Sequence, residues 1–275
     1  VRLSGGRGLT WRAGTVVLRP HDGPAVTDWR AGVLAGLRHT TAFRAPRPVA
    51  TRDGAWRAGE WEAWEWVPGR SDPTRVEDVI RVGTAFHRAV AHLDRPASLD
   101  TVRGVDADRS VDADRGLDAD RGVDADRGLD AWDRADRMAW GAEPLPREPS
   151  LDRLAAAFRP VRAPSQLVHR DLLGNVLFAD GRPPAVIDWS PTWRPAAFGA
   201  AIAAVDAVCW HGLPVGRLDG LGDLALDGLP SEDAAAAWPQ LLIRALAFRI
   251  ATLHLLGGWD AAGTDRHRQV IDALV

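Results

Sequence analysis

The chain has 275 residues, 46% of them hydrophobic, enough for a full core and for one large domain or two lobes. A net charge of −3 points to neither a nucleic-acid surface nor a membrane-facing patch, and one cysteine, Cys209, excludes a disulfide framework or a cysteine-built zinc site. All 34 basic residues are Arg, so a Walker A loop and Schiff-base chemistry are excluded; Asn175 is the only Asn.

The chain starts with Val, inside what reads as a strand, and a missing N-terminal segment or an alternative start codon is the expectation. Residues 1–19 read as two strands around a turn rich in glycine (Gly5, Gly6, Gly8), the second being TVVLR. Pro24 opens a helix with Val26, Trp29, Val33, Leu34 and Leu37 on one face. APRPVATRDGAWRAGEWEAWEWVPG predicts two more strands turning at Asp53-Gly54. A Pro-Gly break at 68–69 then divides a small β-rich lobe, 1–67, from a helical lobe, 68–275.

In the second lobe Asp72-Pro73 reads as a helix start, with Val76 to Leu93 at helical spacing behind it, and Ser150 as the cap of LDRLAAAF. Between them run VDADRS, VDADRG, LDADRG and VDADRG, then a fading LDAWDR. On a helix six residues turn through about 600°, so the Val/Leu positions scatter over three faces. The 105–130 segment therefore reads as a flexible, solvated insertion. As a calcium loop it lacks the glycine pattern and the distal Glu. Short strands are predicted at 167–169, 176–178 and 185–187, and helices at 196–211 and from Ser231, where Pro239 should break or kink the run. No apolar run approaches the roughly 20 residues of a membrane span. VRLSGGRG lacks a signal-peptide pattern, so the chain is expected to be soluble and cytoplasmic.

LVHRDLLGNVLF followed by PPAVIDW carries the chemistry. Phosphoryl transfer needs a carboxylate for the acceptor's proton, oxygen ligands for Mg2+, a cation on the phosphates and glycines near them. Asp171 fits the base, Asn175 and Asp188 the metal ligands, Arg19 the cation, and Gly5, Gly6 and Gly8 the phosphate cover. His169 reads as a residue that orients the loop. Each piece alone is ordinary; their order along the chain is not.

HRDLLGNVLF with PPAVIDW resembles the aminoglycoside phosphotransferase and choline-kinase-like superfamily, whose loop reads HGD…N with a following IDW or IDF. LSGGRGLTWRAG, WEAWEWVPG, ADRMAWG, DWSPTWRP and DAVCWHG resemble a bacterial branch of it. The resemblance implies an α+β, two-lobed, protein-kinase-like fold: a small antiparallel-β N-lobe and a larger, mainly α-helical C-lobe. It implies ATP or GTP with Mg2+ and transfer of the γ-phosphate to a small-molecule hydroxyl, the partners being nucleotide and acceptor. It puts Arg19 where a phosphate-binding lysine belongs and Trp66 and Val67 at the hinge that holds the base. Asp28 is the expected acidic partner on the first helix, Gly32 the competing position. Two departures stand out: Arg170 replaces the usual Gly, and Arg19 the usual Lys, with a larger planar fork.

An active kinase for a small hydroxylated metabolite ranks ahead of a degenerate fold that binds without turnover. A protein kinase ranks third, since DFG and APE segments are missing. The hexads as a partner-binding arm rank fourth. The acceptor pocket is expected in residues 190–275, with Trp189, Trp193, Trp210 and His211 as candidates.

Overall fold

The computed structural model describes residues 1–3, 9–99, 125–226 and 231–275. Strand β1 (Trp11–Ala13) turns at Gly14 into β2 (Val16–Pro20), and Arg2 bridges back to Trp11. With β3 (Arg57–Ala58) and β4 (Trp61–Glu65) they form an antiparallel sheet in the order β1-β2-β4-β3. The hairpin between β3 and β4 turns at Gly59, not at Asp53-Gly54. Residues 51–55 form a separate hydrogen-bonded turn, and the 47–49 stretch, interrupted by Pro48, pairs with β4 beyond β3. A prolyl residue lacks the N–H that a continuous strand would need there.

Helix α1 (Pro24–Gly36) starts with Pro at its first turn and buries Val26, Thr27, Arg30, Ala31 and Leu34. Alternation along β4 sends Glu62 and Trp64 inward, while Trp61 and Glu65 face solvent. A glutamate thereby enters the interior of the small lobe, where it needs a charged partner.

Beyond Gly69 the chain first gives β5 (Arg70–Ser71) and only then α2 (Val76–Val90). Asp72 does not cap α2; it accepts from the amide and hydroxyl of Thr74 in a local turn, and the helix starts three residues later than Asp72-Pro73 suggests. Helix α3 (Ala125–Ala139) begins inside the fourth hexad, so the end of the 105–130 segment is helical, while residues 105–124 lie outside those described. In α4 (Pro149–Ala156) the cap is Glu148, which accepts from the Leu151 amide; Ser150 already lies within the helix.

Strand β6 (Ser165–His169) pairs with β9 (Pro191–Pro195), and β5, β7 (Val176–Phe178) and β8 (Ala185–Val186) make a three-stranded sheet. Arg44 of the small lobe adds a bridge to Ala185. Helices α5 (Phe198–His211), α6 (Leu218–Ala225), α7 (Ser231–Leu255) and α8 (Ala261–Leu274) complete the larger lobe, whose core lies where α7 packs on α3 and α5. Pro239 sits inside one continuous α7 rather than ending it; packing on both neighbours carries the helix through. The architecture is the expected two-lobed, kinase-like α+β arrangement. No helix among the described residues is long and apolar enough to cross a membrane.

Candidate active site

Between the lobes lies a cleft of about 330 Å3. Its walls include Val17, Arg19, Arg30 and Trp64 from one side, and Asn175 and Asp188 from the other. Trp66 and Val67 also line it, and the guanidinium of Arg12 covers the Trp66 ring at 4.1 Å from its centroid. Gly5, Gly6 and Gly8 lie outside the described residues.

The β7–β8 hairpin brings the two sequence-distant polar residues together. The Ile187 amide donates to the Asn175 carbonyl at 2.9 Å, which sets Asp188 beside Asn175. Gly174, at φ +94°, makes the turn ahead of Asn175, a backbone state that side chains rarely adopt. Asp188 itself is the only non-glycine among the described residues at positive φ (50°), held there by its neighbours.

His169 fixes the loop from beneath. Its Nδ1 accepts from the Asp171 amide at 3.2 Å and its Nε2 donates to the Ile187 carbonyl at 3.1 Å. Its own amide donates to Nε2 of His87 on α2 at 2.8 Å. Burial lowers the pKa of both rings, that of His87 to about 3, so both stay neutral and act as hydrogen-bonding struts. Helix α5 comes so close that a Cβ at Gly199 would sit 2.5 Å from the His169 carbonyl oxygen. Arg170 donates to Ser190 and pairs with Asp133 on α3, tying the loop to that helix.

Asn175 Nδ2 donates to the Asp171 carbonyl at 2.8 Å and to its carboxylate at 3.1 Å. Arg249 on α7 donates to the other Asp171 oxygen at 2.8 Å and pairs with buried Asp206 on α5. Burial raises the Asp206 pKa against the pull of Arg249. Cys209, one turn along α5, is also buried; burial and then Asp206 push its thiol up to about 12, which leaves it inert.

Arg19 enters the cleft, but its acidic partner is not Asp28. Asp28 faces outward from α1 and pairs with Arg57 on β3 at 2.9 Å, and Gly32 is exposed. The partner is Glu62, directly opposite Arg19 in the β2–β4 register, at 2.6 Å from Nε. Helix α1 supplies a cation instead: buried Arg30 donates to Glu62 at 2.8 Å and to Asp22 at 2.7 Å. Arg19 also pairs through Nη1 with Asp188. Burial raises the Asp188 pKa, but Arg19 more than offsets this and the net shift is downward.

The expected aromatic acceptor pocket is not formed by the four residues proposed for it. Trp189 is buried against Trp29 and Phe86 and lines the cleft between the lobes. Trp193 packs on the core, Trp210 stands edge-on to His267 on α8, and His211 is exposed. Trp189 and Trp193 are taken up by packing, whereas Trp210, 37% exposed, and His211 lie at the surface.

The model of the phosphotransferase enzyme family, APH, matches residues 4–192, more than half of the chain. The chain belongs to the phosphotransferase enzyme family. No curated protein sequence matches it. Among solved structures, this phosphotransferase resembles an ethanolamine kinase from Plasmodium vivax, with a TM-score of 0.56 at 10% identity, covering 94% of this chain and 77% of that one. A thermostable mutant of aminoglycoside phosphotransferase APH(4)-Ia, in ternary complex with AMP-PNP and hygromycin B, gives 0.54 at 16% identity, covering 100% and 92%. A choline/ethanolamine kinase family protein from Mesorhizobium loti gives 0.51 at 16%, covering 100% and 87%. At these identities the likeness is one of fold.

In this phosphotransferase the donor groups of Asn175 and Asp188 are of the oxygen type that magnesium takes. Asn175 spends its amide nitrogen on Asp171, leaving Oδ1 for a cation, and Asp188 adds a carboxylate at the cleft. No group of three or more His, Cys, Asp or Glu that could hold a metal occurs among the described residues. Magnesium asks for no such cage, since it takes one or two side chains and completes its shell with phosphate and water.

Glu62, Arg30, Asp206 and Arg249 were missed from the sequence. A signal existed for Glu62, Asp206 and Arg249. Glu62 sits two residues before Trp64 in an alternating strand, and Asp206 and Arg249 are charges inside otherwise apolar helical runs, AIAAVDAVC and ALAFRIA.

Proposed function

We propose that the protein transfers the γ-phosphoryl group of ATP or GTP, with Mg2+, to a hydroxyl of a small molecule. One observation carries this reading: Asp171 is hydrogen-bonded to Asn175, and Asn175 lines the cleft together with Asp188 and Arg19. Trp66 and Val67 hold the base. Asp171, oriented by Asn175 and Arg249, takes the proton of the acceptor hydroxyl. The acceptor oxygen bonds to the γ-phosphorus as the bond to the bridging oxygen breaks, and the nucleoside diphosphate leaves. Mg2+ on Asn175 and Asp188 would supply charge neutralisation for the phosphates. Arg19 would add its cation on the same side.

The AMP-PNP in the aminoglycoside phosphotransferase neighbour supports an ATP-type co-substrate. Such a co-substrate fits a cytoplasmic location, and the net charge of −3 favours small-molecule partners over nucleic acid or a membrane surface. Arg249 offsets one of the two carboxylates beside the loop, and the single negative charge left favours an acceptor other than a polycation. A second reading, nucleotide binding without turnover, is favoured by the Arg19–Asp188 pair, which occupies an oxygen the metal would use.

A screen of hydroxyl compounds for diphosphate release, beside Asp171→Ala, tests the proposal. An acceptor used by the wild type and lost in the variant is the expected result. Nucleotide bound but never consumed above the variant's background would favour the second reading.

A further inference from the structure

An alternating chain of charges runs from α1 to the cleft: Asp22, Arg30, Glu62, Arg19, Asp188. Glu62 is its centre. Its Oε1 accepts from Arg19 Nε at 2.6 Å and from Arg30 Nη2 at 2.8 Å, and Arg30 reaches Oε2 at 3.1 Å. Its side chain is 1% exposed and that of Arg30 3%, so neither meets bulk water. Both guanidinium groups lie about equally far from the Trp64 ring, at 6.0 and 5.9 Å from its centroid, and both line the cleft. Two guanidinium groups against three carboxylates leave one net negative charge, and the exposed end of the chain, Asp188, faces the cleft.

We propose that Arg30 is a positioning residue of an arginine-built phosphate subsite: it holds Glu62, Glu62 holds Arg19 by Nε, and nucleotide with a divalent cation moves Nη1 of Arg19 from Asp188 to phosphate. The proposal rests on the nucleotide reading above. The geometry explains why arginine serves here. Its fork offers Nε to the buried anchor and separate outer nitrogens to the cleft, so the anchor persists while the outer contact changes. A lysine has one nitrogen to divide between Glu62 and phosphate. Without nucleotide, Arg19 competes with a cation for Asp188.

The full chain is titrated with Mn2+ alone, and with ATP in the presence of Mg2+. In Arg19→Gln, affinity for Mn2+ alone should rise and affinity for Mg2+-ATP should fall, each about tenfold or more. Arg19→Lys should also bind Mg2+-ATP about tenfold more weakly. Arg30→Met should show both changes of Arg19→Gln, because Glu62 then draws Arg19 away from Asp188, and Arg30→Lys should restore part of each. A merely structural Arg30 would lower stability and leave both affinities unchanged. Should Arg30→Met fail to fold, the Arg19 variants decide. Arg19→Lys binding Mg2+-ATP as tightly as wild type, or Arg19→Gln gaining no Mn2+ affinity, would overturn the proposal. A wild type that binds no Mg2+-ATP would instead overturn the nucleotide reading, and the Mn2+ titration would still report on the Arg19–Asp188 pair.

Discussion

At the cleft Arg19 lies between Glu62 and Asp188; on the helical side of the same loop Arg249 lies between Asp206 and Asp171. In each trio one carboxylate is buried, Glu62 at 1% and Asp206 at 10% exposure, and the other is half-exposed, Asp188 at 45% and Asp171 at 46%. A buried acid anchors the guanidinium, and the guanidinium steadies the acid assigned to the chemistry. The trios differ in the anchor. Glu62 has a second arginine, Arg30, whereas Asp206 shares Arg249 with Asp171, and burial raises its pKa. The cleft trio is thereby braced from behind, and the helical trio relies on the packing of α5 and α7.

Removing the anchors should break this comparison most visibly. Glu62→Ala leaves two guanidinium groups facing an emptied interior, and urea unfolding should show a loss of about 3–5 kcal/mol. Asp206→Asn keeps hydrogen-bonding capacity and leaves Asp171 on Arg249, so its loss should be smaller, about 1–3 kcal/mol. Equal losses would mean that Arg30 braces nothing.

Next in size is a kinetic separation. Arg249→Gln frees one Asp171 oxygen and should lower kcat by about 100-fold through misplacement of the base, with Mg2+-ATP affinity unchanged. A parallel loss of nucleotide affinity would merge two sites that the geometry keeps apart.

The histidine struts beneath the loop give a pH signature. His87 and His169 are neutral in the fold because burial depresses their pKa values, that of His87 to about 3. The unfolded chain takes up protons near the ordinary 6.5, so stability is full above that value and falls as the pH drops toward 3. The slope from His87 should approach about 1.4 kcal/mol per pH unit, and His169 adds to it in the same direction. Thermal melts across this range check it, and His87→Gln should flatten the curve.

The smallest expected effect tests the reassigned acid. Asp28→Asn breaks only the partly exposed pair with Arg57 and should cost about 0–1 kcal/mol, with nucleotide binding unaffected. A marked loss of nucleotide affinity would restore Asp28 to the site.

What was legible in the sequence was local. Helix α1 announced itself through Pro24 and its apolar face, and HRDLLGN with AVIDW marked the loop and the hairpin through residue type and spacing. Register and helix phase were not legible. Arg19 meets Glu62 because β2 and β4 pair at that offset, 43 residues apart, and Asp28 misses the cleft because α1 turns Arg30 inward instead. Strand β9 was hidden by prolines at both its ends, and the start of α3 by a hexad period that suits no helix face. The anchors escaped for a related reason: a charge in an apolar helix names its burial but not its partner, and Asp206 and Arg249 meet only once α5 and α7 are packed.

The measurement that bears most directly on the account is isothermal titration of the full chain with Mg2+-ATP, beside Asp188→Ala. Saturable binding that needs the metal and disappears in the variant is the predicted result. Failure of a well-folded wild type to bind, or binding that survives the loss of Asp188 unchanged, would contradict the cleft as a metal-dependent nucleotide site.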